Sequence, residues 1–77
     1  MMLDLTPDRC VSLVQALSDG DRKTFMAYLE GGSVKAAARA LFRSDRTVEK
    51  RVSSILRKLQ VARFSQAVAV ACKGGMI

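Results

Sequence analysis

Basic and hydroxyl-bearing side chains recur between residues 43 and 59 at a spacing that can bind a polyanion. If this stretch is a helix, turning about 100° per residue, its apolar residues form one stripe: Val48, Val52, Ile55, Leu56 and Leu59. The opposite side carries Arg46, Thr47, Lys50, Ser53, Ser54, Arg57 and Lys58. Our hypothesis is that one side of this helix lies in a core and that the cationic side docks on DNA.

Positive charge is concentrated around this predicted helix. The chain has 13 Lys and Arg against 7 Asp and Glu, a net charge of +6. The basic residues between positions 35 and 58 are Lys35, Arg39, Arg43, Arg46, Lys50, Arg51, Arg57 and Lys58, whereas the acids there are Asp45 and Glu49. A cationic surface of this kind binds a polyanion by releasing counterions. The alternative is a solvated basic face that keeps the protein soluble.

The residue types argue against catalysis and metal binding. The chain has no histidine, which excludes Ser-His and Cys-His nucleophiles and His-ligated metals. Most carboxylates lie near predicted helix starts, where capping explains them, and the Gly-Gly pairs lack the spacing of a phosphate loop. Cys10 and Cys72 are too far apart to suggest a metal cluster, so we expect two core-type thiols in a reducing compartment. We expect no enzymatic activity, no cofactor and no metal.

Length and composition predict one small domain. A chain of 77 residues, 49% hydrophobic and 26% charged, can form a single core, and we expect no second domain. No apolar run approaches the ~20 residues needed to span a bilayer. The first eight residues lack the basic and long apolar segments of a secretion signal. We therefore expect a cytoplasmic protein that has no membrane partner.

Helix-start signals divide the chain into five predicted helices. Capping residues precede the first four: Thr6 before Pro7, Ser18 with Asp21, Ser33, and Ser44. The last segment, about residues 65–72, would present Val68, Ala71 and Cys72 on one side. Its alternating Ala and Val could equally form a strand, but a lone strand would have no partner in an otherwise helical chain. The helices on either side of residues 42–44 form a helix-turn-helix arrangement.

Several short motifs follow one another at a consistent spacing: Lys35-Ala36-Ala37-Ala38, Leu41-Phe42-Arg43-Ser44, Thr47-Val48-Glu49, Ile55-Leu56-Arg57-Lys58-Leu59-Gln60-Val61 and Gln66-Ala67-Val68. With them, residues 17–77 resemble the GerE/LuxR-type helix-turn-helix domain, the DNA-binding module of many bacterial response regulators and quorum-sensing receptors. Residues 54–59 are the most specific part, because their spacing to Thr47 also matches. Starting the family pattern at Leu5 would misplace Thr47. We therefore predict an added N-terminal helix in residues 1–16, followed by the domain in residues 17–77.

The resemblance implies an all-α, four-helix bundle to which the additional N-terminal helix is attached. It implies that the third helix of the bundle, residues 44–59, enters the major groove and that the last helix forms a homodimer. By position, DNA-facing roles pass to Thr47, Lys50, Arg51, Ser54 and Lys58. Thr47 and Lys58 would hold phosphates, whereas Lys50, Arg51 and Ser54 would lie near base edges. Arg46 and Arg57, on the same cationic side, complete the predicted site.

Some of these residues have alternative roles in the fold. Thr47 could satisfy backbone groups at the helix start, and the stem of Arg51 could cover the edge of the core. Arg57 and Lys58 could be ordinary solvated charges. The leading hypothesis is nevertheless a stand-alone transcriptional regulator that binds double-stranded DNA as a dimer.

Departures from the family pattern keep a second hypothesis open. Glu49 replaces the usual lysine, and Arg43 stands where an apolar residue normally anchors the turn. Together with the apolar face of the N-terminal helix (Cys10, Leu13 and Val14), they fit a protein-interaction module that pairs with a larger transcription regulator. That face could instead pack on its own domain. A third possibility is the helix-turn-helix of sigma-factor region four, but the ending at residues 55–61 favours the GerE type.

Overall fold

The computed structural model describes residues 6–77, which form five helices joined by short turns. These are α1 (Pro7–Gln15), α2 (Asp19–Gly31), α3 (Val34–Leu41), α4 (Asp45–Lys58) and α5 (Phe64–Lys73). The predicted all-α class is confirmed, since residues 6–77 contain no strand and the ambiguous last segment is the helix α5. The first five residues of the predicted N-terminal segment lie outside the described residues.

Side-chain caps fix where α2 and α3 begin. The Ser18 Oγ accepts a hydrogen bond from the Asp21 N–H at 3.1 Å, and Asp21 Oδ2 accepts one from the Ser18 N–H at 3.1 Å. This is the reciprocal capping box that the sequence predicts. Before α3, Ser33 Oγ accepts from the Ala36 N–H at 3.1 Å. Both caps satisfy backbone donors that the first turn of a helix leaves unpaired.

A left-handed residue ends α3 and turns the chain toward α4. Phe42 has φ 55°, a conformation that crowds the Cβ of an L-residue against its own backbone. Its N–H donates to Arg39 O at 3.3 Å, and the Arg43 N–H donates to Ala38 O at 3.0 Å. This Schellman pattern satisfies the last carbonyls of α3 and explains why the helix stops there.

One compact unit contains α1, the end of α4 and α5, and it comprises the chain through Leu17 together with Leu56–Ile77. α1 packs on α5, and the Arg9 guanidinium donates a hydrogen bond to the Gln60 side chain. The buried hydrophobic residues of this unit are Cys10, Val14, Leu17, Leu59, Ala67, Val70 and Ala71. The apolar face of α1 therefore packs on its own chain, rather than staying open for another protein.

The buried side of α5 differs from the predicted one. Its buried residues are Ala67, Val70 and Ala71. Val68 is half-buried and Cys72 is exposed, so the prediction that both cysteines are core residues is right for Cys10 and wrong for Cys72. α5 is apolar around most of its circumference, and its packing on α1 selects the buried side.

The second compact unit, Ser18–Ile55, contains α2, α3 and most of α4. Ala37 and Ala38 of α3 form a buried cluster with Val48 of α4. The half-buried hydrophobic residues that pack against this cluster are Ala27, Tyr28, Val34, Leu41 and Val52. α2 approaches α3 closely at Gly31, where an added Cβ would lie 2.7 Å from the Ala36 Cβ. Small residues at the contact thus let these two helices pack tightly.

Candidate nucleic-acid interface

α4 has two chemically different sides, as the sequence predicts. Val48 and Ile55 are each 1% exposed and form the inner stripe, with Val52 and Leu56 half-buried beside them. The exposed residues include Arg46, Thr47, Lys50, Arg51, Ser53, Arg57 and Lys58. Of the predicted DNA-binding residues, Ser54 alone is half-buried, so part of its surface is withdrawn from solvent.

The predicted site residues fall in both compact units. Arg46, Thr47, Lys50, Arg51 and Ser54 lie in the unit Ser18–Ile55. Arg57 and Lys58 form the last turn of α4 and belong to the other unit. The first group therefore lies in the same unit as α2 and α3.

A pair of hydroxyl groups marks the start of α4. Ser44 Oγ accepts a hydrogen bond from the Thr47 N–H at 3.1 Å and lies 2.9 Å from Thr47 Oγ1. Ser44 is thus the N-cap that the sequence predicts. The Thr47 hydroxyl contacts the Ser44 side chain, and its predicted contact with a phosphate stays a prediction. Both side chains are exposed, so an anion can reach the N-terminal end of α4, where the helix dipole favours negative charge.

Arg51 forms an ion pair with Asp21 of α2, a contact that the sequence does not predict. Its Nη1 lies 3.4 Å from Asp21 Oδ1, and the two side chains are 44% and 3% exposed, respectively. Gly20 makes room for this arrangement, because an added Cβ there would lie 2.9 Å from the Arg51 Nη1. The sequence indicated only the capping role of Asp21. A carboxylate that contacts a residue 30 positions away along the chain leaves no local signal.

Residues 42–44 join α3 to α4, and the second of these helices exposes a cationic side. This arrangement defines a helix-turn-helix domain. A family model described as bacterial regulatory proteins, luxR family (GerE), matches residues 15–71. The chain therefore belongs to the LuxR family of DNA-binding regulatory proteins, as its motifs predict. Comparison with curated proteins and with solved structures found no match.

None of the helices within residues 6–77 has the length and apolar character that a membrane span requires. Over the same residues, no three Cys, Asp or Glu side chains are grouped in a way that could hold a metal ion.

Proposed function

We propose that this DNA-binding regulator recognises a specific duplex sequence by inserting α4 into the major groove. The observation that carries the proposal is the exposed cationic side of α4, opposite its buried Val48 and Ile55. An α-helix fits the major groove of B-DNA, and Lys and Arg can donate to the O6 and N7 atoms of guanine there. Lys50 and Arg51 are assigned to base edges, with Ser54 beside them. Arg46, Thr47, Arg57 and Lys58 are assigned to phosphates.

The proposal includes a homodimer that forms through α5. Exposed Ser65 and Cys72, with half-buried Val68 between them, follow one side of this helix at helical spacing. Ala67, Val70 and Ala71 are already buried within the chain, which leaves that side for a second copy. Two copies related by a two-fold axis would recognise two half-sites about one turn of DNA apart.

Binding to a pool of random duplexes at several salt concentrations tests this function. We expect an enriched motif with two-fold symmetry and an affinity that falls steeply as salt rises, because each neutralised phosphate contributes about −0.9 to the logarithmic salt slope. Sedimentation of the protein on the enriched duplex should show two copies. Shallow salt dependence, or a pool without an enriched motif, would contradict sequence-specific recognition.

Substitution of single lysines separates base contacts from phosphate contacts. Lys50→Ala should relax sequence choice, at a loss of about 1–3 kcal/mol on the preferred duplex. Lys58→Ala should weaken binding to all duplexes alike and reduce the salt slope by about one. Lys35→Ala, which removes the same charge from an exposed position of α3 outside the predicted site, is the control. Equal behaviour of all three variants would show that net charge alone drives binding.

A second candidate function is interaction with a larger transcription regulator. It is favoured by Phe42, which is 93% exposed in the turn before α4, and by the acidic Glu49 on the exposed surface of α4. An exposed aromatic side chain is typical of the centre of protein interfaces. Capture from a cell extract distinguishes the two candidates. Recovery of DNA without a regulator would count against the interaction role.

A further inference from the structure

A polar cleft of about 330 Å³ lies within the unit Ser18–Ile55, between α2, α3 and the start of α4. Its lining residues are Gly20, Lys23, Thr24, Ala40, Leu41, Arg43, Thr47, Val48 and Arg51. Lys23 comes from α2, Arg43 from the turn and Arg51 from α4, so three separate elements bring a cation to one cavity. The lining contains no carboxylate.

Asp21 and Gly20 position the Arg51 guanidinium at the wall of the cleft. Asp21 contacts Nη1 from a buried position and is not among the lining residues. An arginine has five N–H donors, and Nη1 supplies the contact with Asp21, so the remainder of the guanidinium can face the cleft. Gly20 leaves the space that this side chain occupies. Thr47, whose hydroxyl lies 2.9 Å from Ser44 Oγ, lines the cleft at the start of α4, where the helix dipole also favours an anion.

We propose that this cleft binds a phosphate group through Lys23 and Arg43, with Arg51, whose Nη1 contacts Asp21, adding positive charge at its wall. Converging cations, a hydroxyl and a helix start together suit the charge and the several acceptor oxygens of a phosphate. The cavity is large enough for one such group and for part of what is attached to it. The phosphate has two possible sources, the backbone of a DNA duplex or a small phosphate-containing molecule. The first source rests on the proposed function, whereas the second does not.

The test compares two double variants that remove the same charge. Lys23→Gln with Arg43→Gln removes two cations from the cleft, and Lys35→Gln with Arg39→Gln removes two exposed cations of α3 that do not line it. All four residues are exposed, so both variants should keep the wild-type thermal unfolding. Lys23→Arg with Arg43→Lys, which keeps both charges, is expected to retain most of the binding.

Each protein is titrated with the enriched duplex in one arm and with inorganic pyrophosphate in the other. The cleft variant should bind about tenfold more weakly than the control variant in at least one arm, and its salt slope on DNA should fall by about one. A loss confined to DNA identifies the backbone phosphate as the ligand. A loss in the pyrophosphate arm identifies the phosphate group itself, even if the wild type binds no duplex. Equal affinities of the two double variants in both arms, or a wild type that binds neither ligand, would overturn the proposal.

Discussion

Replacement of Gly74 by alanine should lower the free energy of unfolding by about 2 kcal/mol. A Cβ at this position would lie 2.6 Å from the Val14 Cγ2 and 2.7 Å from the Cys10 carbonyl oxygen. The second contact is with the backbone of α1, so rotation of a side chain cannot relieve it. α1 must shift away from the end of α5, and buried Cys10 and Val14 then lose packing.

The backbone conformation of Gly74 favours alanine, but this gain does not compensate for the steric clash. Its φ of −81° and ψ of −1° suit any L-residue, so alanine gains about 0.4–1 kcal/mol from the lower entropy of the unfolded chain. Forcing an extra carbon into a filled contact typically destabilises by about 1–3 kcal/mol. The steric clash therefore outweighs the entropy gain, and Gly74→Ala should lower the free energy of unfolding.

Urea denaturation and amide hydrogen exchange can check this prediction. Amides of α1 should exchange faster in the Gly74→Ala protein, because the clash falls on that helix. Gly75→Ala is a useful comparison, since a Cβ added there would have no atom within 4 Å, but the φ of +79° is unfavourable for alanine. That variant should be destabilised without selective exchange in α1. A Gly74→Ala protein as stable as the wild type would show that α1 and α5 do not pack this closely.

The sequence allowed the local parts of this fold to be predicted. Ser18, Ser33 and Ser44 cap their helices as expected, because a cap depends on residues two or three positions apart. The buried apolar stripe of α4 could be predicted equally well, since charged residues separate its apolar positions. In α5 small apolar residues occur on nearly all sides, so their periodicity does not identify the buried side of the helix. The prediction that Cys72 is a core residue is wrong for this reason.

Contacts between distant residues account for what the sequence did not reveal at the site. The cleft depends on Lys23, Arg43 and Arg51, which come together only after α2, the turn and α4 have packed. Arg43 is an unusual residue for this turn, yet its neighbours along the chain give no sign of a contact with Lys23. The cationic side of α4 could thus be predicted as a binding surface, whereas the cavity beside it could not.

Asp21→Ala should lower the free energy of unfolding by about 2 kcal/mol, mainly because the Ser18 N–H loses its acceptor in the capping box of α2. Asp21 accepts from the Ser18 N–H at 3.1 Å and faces Arg51 Nη1 at 3.4 Å. A hydrogen bond to a charged group contributes about 1.5–3 kcal/mol. The ion pair should contribute less, about 0.5–1 kcal/mol, because Arg51 is 44% exposed and solvent screens its charge.

Asp21→Asn separates these two contributions, since an asparagine oxygen can still accept from the Ser18 N–H while the negative charge is lost. We expect this variant to be destabilised by about 1 kcal/mol or less. A double-mutant cycle of Asp21→Asn with Arg51→Gln should give a coupling energy of similar size that shrinks as salt rises. If Asp21→Asn were as destabilising as Asp21→Ala, the ion pair rather than the hydrogen bond from the Ser18 N–H would dominate. Arg51 would then be fixed mainly by the fold, and its freedom to reach a base or a phosphate would be correspondingly small.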